Sequence, residues 1–187
     1  MTDVLALFRQ AGALHEGHFR LSSGLHSSGY LQCALVLQHP SHAETLGTAL
    51  AGALRDLRPS VVLSPALGGL IIGHEVGRAL GVRAIFAERQ DNVLTLRRGF
   101  SLSTDDRVVI IEDVVTTGGS TGETIAVASQ AGASVIGAGS IIDRSGGSVT
   151  LGVPFRALAA LDLPTFAPES CPLCASGQPV TKPGSRA

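Results

Sequence analysis

The sequence is poor in aromatic and charged residues. Only 4% of its 187 residues are aromatic, and it has no tryptophan and a single tyrosine. Charged residues make up 16% and give a net charge of −1, so the chain lacks the basic surface that nucleic acid or an anionic membrane would require. No hydrophobic run reaches membrane-spanning length, and the N-terminus has no signal-peptide pattern. These absences predict a cytoplasmic protein that binds neither nucleic acid nor membrane.

What is present indicates a folded α/β protein. A hydrophobic fraction of 44% allows a substantial core, and the length suits one domain over residues 1–187. We predict helices at 2–11, 40–57, 68–80 and 122–131, two short strands within 17–36, and strands at 61–63, 83–87, 108–111, 134–142 and 153–158. Residues 91–101 are predicted to form a hairpin or mobile loop, and the tail from Gly177 to be loosely ordered. Strands alternating with helices favour a mainly parallel sheet with helices on both faces, which binds ligands beyond the carboxyl ends of its strands.

The strongest functional signal places two carboxylates and a loop of small residues directly after a predicted strand. The run is Val108-Val109-Ile110-Ile111-Glu112-Asp113-Val114-Val115-Thr116-Thr117-Gly118-Gly119-Ser120-Thr121. A helix start attracts phosphate, glycines let the backbone approach the anion, and hydroxyls add donors. The carboxylates would repel phosphate but suit ribose hydroxyls or a metal-bound diphosphate. The run therefore predicts a site for a phosphorylated sugar, whereas an ordinary buried strand before a capped helix would leave the paired carboxylates unexplained.

The run resembles the phosphoribosyl diphosphate (PRPP) motif of type I phosphoribosyltransferases at every position. It is neither a Walker A loop nor Gly-x-Gly-x-x-Gly. Two further segments are similar to the orotate phosphoribosyltransferases: the Phe-x-Leu-x-Ser-Gly-x-x-Ser pattern at residues 19–27, followed by Tyr30-Leu31-Gln32, and Asp143-Arg144-Ser145-Gly146-Gly147. The resemblance extends from about residue 5 to residue 160. On these motifs the chain is identified as a member of the orotate phosphoribosyltransferase family.

The resemblance implies a type I phosphoribosyltransferase fold with a small N-terminal hood of about residues 1–36 and a short Cys-x-x-Cys tail from about residue 168. It implies a homodimer, and Mg²⁺ held through PRPP without direct protein ligands. The implied catalytic residues are Asp113, Glu112 and Arg89. The implied PRPP-binding residues are Glu112, Asp113, Val114, Val115, Thr116, Thr117, Gly118, Gly119, Ser120, Arg89, Gly68 and Gly69. The implied orotate-binding residues are Thr116, Arg144, Tyr30 and Leu31.

Three positions depart from the family pattern. The loop after residue 87 lacks the Lys that family members usually carry there, and Arg89 is the best substitute by position, whereas Arg97 and Arg98 fit a solvated turn. Ser22 stands where the family often has Lys or Arg. Gly68 stands where many members have Lys, so backbone N–H groups would contact the diphosphate instead. The alternative at Gly68 is a tight turn into a packed helix.

Arg144 has two interpretations. Its planar guanidinium can meet the carboxylate of orotate with two parallel hydrogen bonds. The alternative is a surface ion pair with Asp143 or another acid.

Histidines and cysteines give no strong metal pattern in the sequence. Six histidines are scattered over residues 15–74 without a His-x-x-x-His or Glu-x-x-His spacing, and His26 could approach a phosphate. Cys171 and Cys174 form a single Cys-x-x-Cys pair, and the third cysteine, Cys33, is distant in sequence. We favour a turn with reduced thiols, and zinc shared between two chains is the alternative.

Two other functions share the PRPP motif. A purine phosphoribosyltransferase should lack both the Asp143-Arg144 segment and the hood pattern. A PRPP-binding regulator usually carries a DNA-binding domain or basic surface, neither of which is visible, and only the missing loop Lys favours it.

Overall fold

Strands and helices alternate along most of the chain in a computed structural model that describes residues 3–21 and 24–182. The helices are α1 (Val4–Gln10), α2 (Cys33–Leu37), α3 (Pro40–Leu54), α4 (Gly69–Leu80), α5 (Gly119–Gln130) and α6 (Pro172–Ala175). The strands are β1 (Leu14–Arg20), β2 (His26–Leu31), β3 (Val61–Pro65), β4 (Arg83–Gln90), β5 (Val93–Leu96), β6 (Arg107–Val115), β7 (Ser134–Asp143), β8 (Phe155–Ala160) and β9 (Thr165–Phe166). Six of them form a sheet in the order β5-β4-β3-β6-β7-β8, in which only the β4–β5 pair is antiparallel. The predicted mainly parallel α/β fold is confirmed.

Helices cover both faces of the central sheet. Side chains alternate between the two faces of a strand, so neighbouring residues of β3 enter different cores. Val62 packs in the cluster that includes Ile72 of α4, whereas Leu63 packs in the cluster that includes Ala128 of α5. At 15 residues α3 is the longest of the described helices, and none of these helices has the length and apolarity needed to cross a bilayer.

The carboxyl end of β6 extends further than predicted. The strand reaches Val115 and pairs in parallel with β7 as far as Asp143. Glu112 and Asp113 therefore lie within the paired strand, because β7 continues alongside them. Helix α5 begins at Gly119 rather than at residue 122, which places the loop glycines at the helix start.

The chain after β2 forms a helix that was not predicted, because only two short strands were expected within residues 17–36. Strand β2 ends at Leu31, and α2 follows at once. Cys33, Val36 and Leu37 are all buried in the core, and this spacing lies on one side of a helix. These apolar residues are the buried face of a short helix.

A second, three-stranded sheet contains strands from both ends of the chain, and we call β1, β2 and β9 the hood sheet. Strands β1 and β2 form an antiparallel pair, and β9 pairs with β2. The tail also continues along β1, because the Thr181 N–H donates to the His18 carbonyl at 2.8 Å and the Arg20 N–H to the Thr181 carbonyl at 2.8 Å. The prediction of a loose tail from Gly177 is therefore wrong as far as residue 182. Ser22, Ser23 and residues 183–187 lie outside the described residues.

Helix α3 approaches α4 closely at Gly47. A β-carbon built at Gly47 would lie 2.4 Å from Cβ of Glu75 and 2.9 Å from its carbonyl carbon, whereas one built at Gly52 of the same helix meets nothing within 4 Å. We expect Gly47→Ala to lower the free energy of unfolding by about 1–3 kcal/mol through overpacking. Gly52→Ala should raise it by about 0.5–1 kcal/mol through helix propensity. Urea denaturation of both variants checks this, and a Gly47→Ala midpoint at or above wild type would contradict the close helix contact.

Candidate active site

Two predicted diphosphate-binding glycines lie against the acid pair. Gly68 precedes α4 and Gly69 begins it, after a cis peptide bond between Ala66 and Leu67. A β-carbon built at Gly68 would lie 2.8 Å from Oδ1 of Asp113, and one at Gly69 would lie 2.8 Å from the carbonyl oxygen of Ile111. At Gly69 a side chain would therefore clash with backbone, at Gly68 it would press on the Asp113 carboxylate, and the strand ends of β3 and β6 bring the glycine turn and the carboxylates together.

Glu112 is a buried carboxyl group with few partners. Its side chain is 8% exposed, and the Thr121 hydroxyl donates to Oε2 at 3.3 Å. Burial, and secondarily the charge of Asp113, raise the pKa of Glu112 to about 8. This single hydrogen bond lowers the pKa too little to offset burial. Glu112 of the free protein is therefore largely protonated at neutral pH.

The charged form of Asp113 is stabilised by more hydrogen bonds than the charged form of Glu112. Burial raises its pKa, but the backbone N–H of Val114 donates to Oδ1 at 2.8 Å and the Cys33 side chain also hydrogen-bonds to it, which both lower the pKa. Burial first, and then the charge and hydrogen bond of Asp113, raise the pKa of the Cys33 thiol well above its usual value. Cys33 is therefore a protonated partner of Asp113 that the sequence did not predict, because no helix was expected within residues 17–36.

The predicted phosphate loop forms a small polar cavity at the start of α5. The cavity measures about 60 Å³, and it is lined by Glu112, Val114, Val115, Thr116, Thr117, Gly118, Gly119, Ser120 and Thr121. Gly118 has a left-handed φ of 78°, and a β-carbon there would lie 2.6 Å from Val149. The glycine therefore allows both the turn and the close packing, so that backbone N–H groups and hydroxyls converge on one small space.

Arg144 follows β7 at the same edge of the sheet. Its backbone N–H donates to the Val115 carbonyl at 2.8 Å, which holds it next to the end of β6. Burial lowers the pKa of its guanidinium, and among the described residues its buried Nε has no hydrogen-bond partner. The carboxylate of Asp143 instead accepts from the Ser145 N–H at 2.7 Å. No ion pair of Arg144 with an acid occurs among residues 3–21 and 24–182, which argues against the alternative interpretation.

The hood sheet brings one of its two predicted orotate-binding side chains toward the site. Burial, and then the charges of Asp113 and Cys33, raise the pKa of Tyr30, so the phenol lies near the acid pair. Leu31 is only 7% exposed and packs in the main hydrophobic core. Since side chains alternate along β2, Leu31 can offer a ligand its backbone but not its side chain.

The cations of the β4–β5 hairpin are all engaged in ion pairs. Arg89 contacts Oε2 of Glu123 on α5 at 2.8 Å and donates to the Asn92 carbonyl at 2.7 Å. Arg97 and Arg98 both pair with Glu88, at 3.1 and 3.0 Å. The expected hairpin is present, and the catalytic role of Arg89 stays a prediction that requires its pair with Glu123 to open.

Comparisons with known proteins agree with this geometry. No protein-family model matches the sequence. An orotate phosphoribosyltransferase of Pelotomaculum thermopropionicum is 51% identical over 184 residues, covering 98% of this chain and 97% of the relative. That of Heliobacterium modesticaldum is 53% identical over 186 residues, covering 98% and 97%. The crystal structure of the Aeropyrum pernix orotate phosphoribosyltransferase superposes with a TM-score of 0.67 at 27% identity, covering 84% of this chain and 93% of that one.

A more distant solved structure shares the fold. The orotate phosphoribosyltransferase of Mycobacterium tuberculosis in complex with PRPP superposes with a TM-score of 0.62 at 22% identity, covering 70% of this chain and 80% of that one. The identities near 50% over almost the whole length show the family directly. This chain belongs to the orotate phosphoribosyltransferase family.

Proposed function

We propose that this chain transfers the ribose 5-phosphate group of PRPP to orotate, giving orotidine 5′-monophosphate and diphosphate in the synthesis of UMP. The observation that carries the proposal is the convergence of three strand ends. The acid pair of β6 lies against the glycine turn after β3, and Arg144, directly after β7, has a buried Nε without a partner among the described residues. The relatives at 51% and 53% identity, named orotate phosphoribosyltransferases, support the same substrates.

The reaction separates a cationic, oxocarbenium-like ribosyl group from diphosphate and needs no enzyme nucleophile. The chain must therefore orient both substrates and stabilise charge. Residues 116–120 and the start of α5 would bind the 5-phosphate, and the N–H groups of Gly68 and Gly69 would bind the diphosphate. Glu112 and Asp113 would accept hydrogen bonds from the ribose 2- and 3-hydroxyls. Asp113 would also favour the positive charge that develops on the sugar.

The proposal includes Mg²⁺ carried in by PRPP. The phosphate oxygens of PRPP would ligate the ion, so that no residue of the chain binds it directly, and the carboxylate of Asp113 beside the glycine turn suits a nearby cation. When bound, Mg²⁺ supplies positive charge that stabilises the departing diphosphate. The residues of the chain then hold the sugar and exclude water around it.

Arg144 would select orotate over neutral bases. A half-buried guanidinium whose Nε has no partner is costly, and a carboxylate that accepts two parallel hydrogen bonds would remove the cost. Thr116 follows β6 directly and Tyr30 of the hood sheet lies near Asp113, so both would lie beside the base. Adenine and hypoxanthine carry no carboxylate, so they would leave Arg144 unpaired.

Three further parts of the proposal rest on family resemblance. The chain would form one phosphoribosyltransferase domain that works as a cytoplasmic homodimer. The β4–β5 hairpin of each chain would reach toward the partner's site. Arg89 would then give up its ion pair with Glu123 and bind the diphosphate. An Arg can supply the positive charge there, but not the geometry or the proton-donor capacity of a Lys.

The test follows the ultraviolet absorbance of orotate with purified protein, PRPP and Mg²⁺, with adenine and hypoxanthine assayed separately. We expect a PRPP-dependent loss of the orotate signal and none with the purine bases. Arg144→Ala should lower kcat/KM for orotate by about 10²-fold, because a buried charge-assisted contact is lost. The KM for PRPP should change little.

The control variant is Arg9→Ala, which removes an exposed cation of α1 that has no part in the proposed site. It should keep wild-type kinetics. Turnover with adenine or hypoxanthine would instead indicate a purine phosphoribosyltransferase. Tight PRPP binding without turnover of any base would indicate a PRPP-binding regulator.

A further inference from the structure

Four potential metal ligands from distant parts of the chain meet beside the hood sheet. They are His18 of β1, His26 of β2, Cys171 and Cys174, and their ligand atoms all lie within 4.8 Å of one another. We call this group the His2Cys2 cluster. Cys174 Sγ lies 3.3 Å from Nδ1 of His26 and 3.7 Å from Nε2 of His18, and Cys171 Sγ lies 3.5 Å from the same Nε2. The cluster lies outside the acid pair, the glycine turn and the phosphate loop.

These distances match the edges of a tetrahedral zinc site. Zn–N bonds of about 2.0 Å and Zn–S bonds of about 2.3 Å place neighbouring ligand atoms roughly 3.3–3.8 Å apart. The three sulfur–nitrogen distances already fall in that range. The two histidine nitrogens are 2.8 Å apart, so the rings would separate by about 0.5 Å to admit the metal.

The surroundings of the cluster favour the binding of a metal. His18, His26 and Cys171 are 3%, 6% and 3% exposed, so three of the four ligands are shielded from water. Nδ1 of His18 lies 2.7 Å from the backbone carbonyl of Gln178. If Nδ1 donates that hydrogen bond, Nε2 keeps its lone pair toward the cluster, which is the usual outer-shell arrangement of a metal-bound histidine.

We propose that the His2Cys2 cluster is a structural zinc site formed within one chain. Two thiolates and two imidazoles in tetrahedral positions favour zinc, and four protein ligands leave no open position for catalysis. Binding replaces the proton shared by the two histidines and releases the thiol protons. The sequence suggested zinc only between two chains, because the histidines that complete the site are separated from the cysteines by more than 140 residues and have no metal spacing.

The site would hold the tail of the chain onto the hood sheet. Both histidines lie on hood strands, and both cysteines lie in the segment between β9 and Thr181. Strand β2 also carries Tyr30, which lies near Asp113. Zinc would thus stabilise the strand that borders the base-binding side of the active site, although it takes no part in the reaction.

The experiment measures metal in the full-length protein purified without chelator, by inductively coupled plasma mass spectrometry. We expect about one zinc per chain, as for a closed four-ligand structural site. The metal-stripped protein should bind Co²⁺ with the thiolate-to-cobalt absorption and tetrahedral d–d bands of an S2N2 site. The melting temperature should fall on removal of zinc and return when zinc is added.

Two variants locate the site. Cys174→Ser changes the exposed ligand of the cluster and should reduce zinc content to below about one tenth per chain, while His74→Gln, on the exposed face of α4, should leave it unchanged. Zinc at one per two chains would overturn the single-chain site in favour of a shared one. If the four ligands of the wild-type protein stay free, with no bound zinc and no cobalt–thiolate absorption, the proposal is overturned. All these readouts are independent of orotate turnover.

Discussion

Asp113→Asn should lower kcat/KM by roughly 10²–10³-fold, because it removes the negative charge that accompanies the developing positive charge on the sugar. The amide can still accept a hydrogen bond from a ribose hydroxyl, so PRPP affinity should fall much less than turnover. Asp113 is suited to this role because the Val114 N–H and the Cys33 side chain hydrogen-bond to its carboxylate. Steady-state kinetics with orotate and calorimetric titration with PRPP measure the two effects separately.

The control for this variant is Asp105→Asn, which neutralises an exposed carboxylate in the turn before β6. It should keep wild-type kinetics. Urea denaturation of Asp113→Asn establishes that the variant is folded. Activity within about threefold of wild type would remove Asp113 from the charge-stabilising role.

Glu112→Gln should stabilise the free protein at alkaline pH. The folded-state pKa of Glu112 is about 8, raised from an ordinary value of 4.5. Below pH 4.5 the carboxyl group is protonated in both the folded and the unfolded state, so its ionisation does not change the free energy of unfolding. As pH rises from 4.5 to 8, the unfolded state gains stability by ionising, so wild-type stability falls over this window. The amide of the variant does not titrate, and 1.36 kcal/mol per pKa unit sets a ceiling of about 5 kcal/mol on the gain.

Urea midpoints at several pH values between 4.5 and 9 measure this effect without substrates. Wild type and Glu112→Gln should differ little at the acid end and increasingly toward the alkaline end. The control, Glu16→Gln, changes an exposed carboxylate of β1 and should follow wild type throughout. Parallel pH profiles for wild type and Glu112→Gln would show that the buried carboxyl group stays ionised at little cost.

The elements best predicted from the sequence are those that a local pattern of residues is enough to identify. The β6 run is fully buried on both faces from Val108 to Ile111, so its apolar residues are continuous and easily recognised. Helix α4 ends at Leu80, as predicted, and Gly81 closes it with a left-handed φ of 74°. Because parallel strands end at one edge of a sheet, the positions of the acid pair, Gly68 and Arg144 followed from these local assignments.

The features that could not be predicted from the sequence depend on contacts between distant segments. The partnership of Cys33 with Asp113 requires that α2 be a helix, and its five residues are too short for helical periodicity to be distinguished from a strand. The His2Cys2 cluster requires the register of β1 on β2 and the return of the tail to the hood sheet. Neither is encoded in the spacing of His18 and His26 or of Cys171 and Cys174.

The hood sheet combines strands from both ends of the chain, and this affects how the chain folds during its synthesis. A chain grows from its N-terminus, and domains begin to fold before synthesis is complete. The central strands β3 to β8 can pair as they emerge, and β1 can pair with β2, but the other edge of β2 has to be completed by β9, where His26 meets Phe166, and that of β1 by Thr181. Joining segments so far apart closes a long loop and is intrinsically slow. The hood sheet is therefore completed last, and a nascent chain forms the loop at the start of α5 before the sheet that bears Tyr30 is complete.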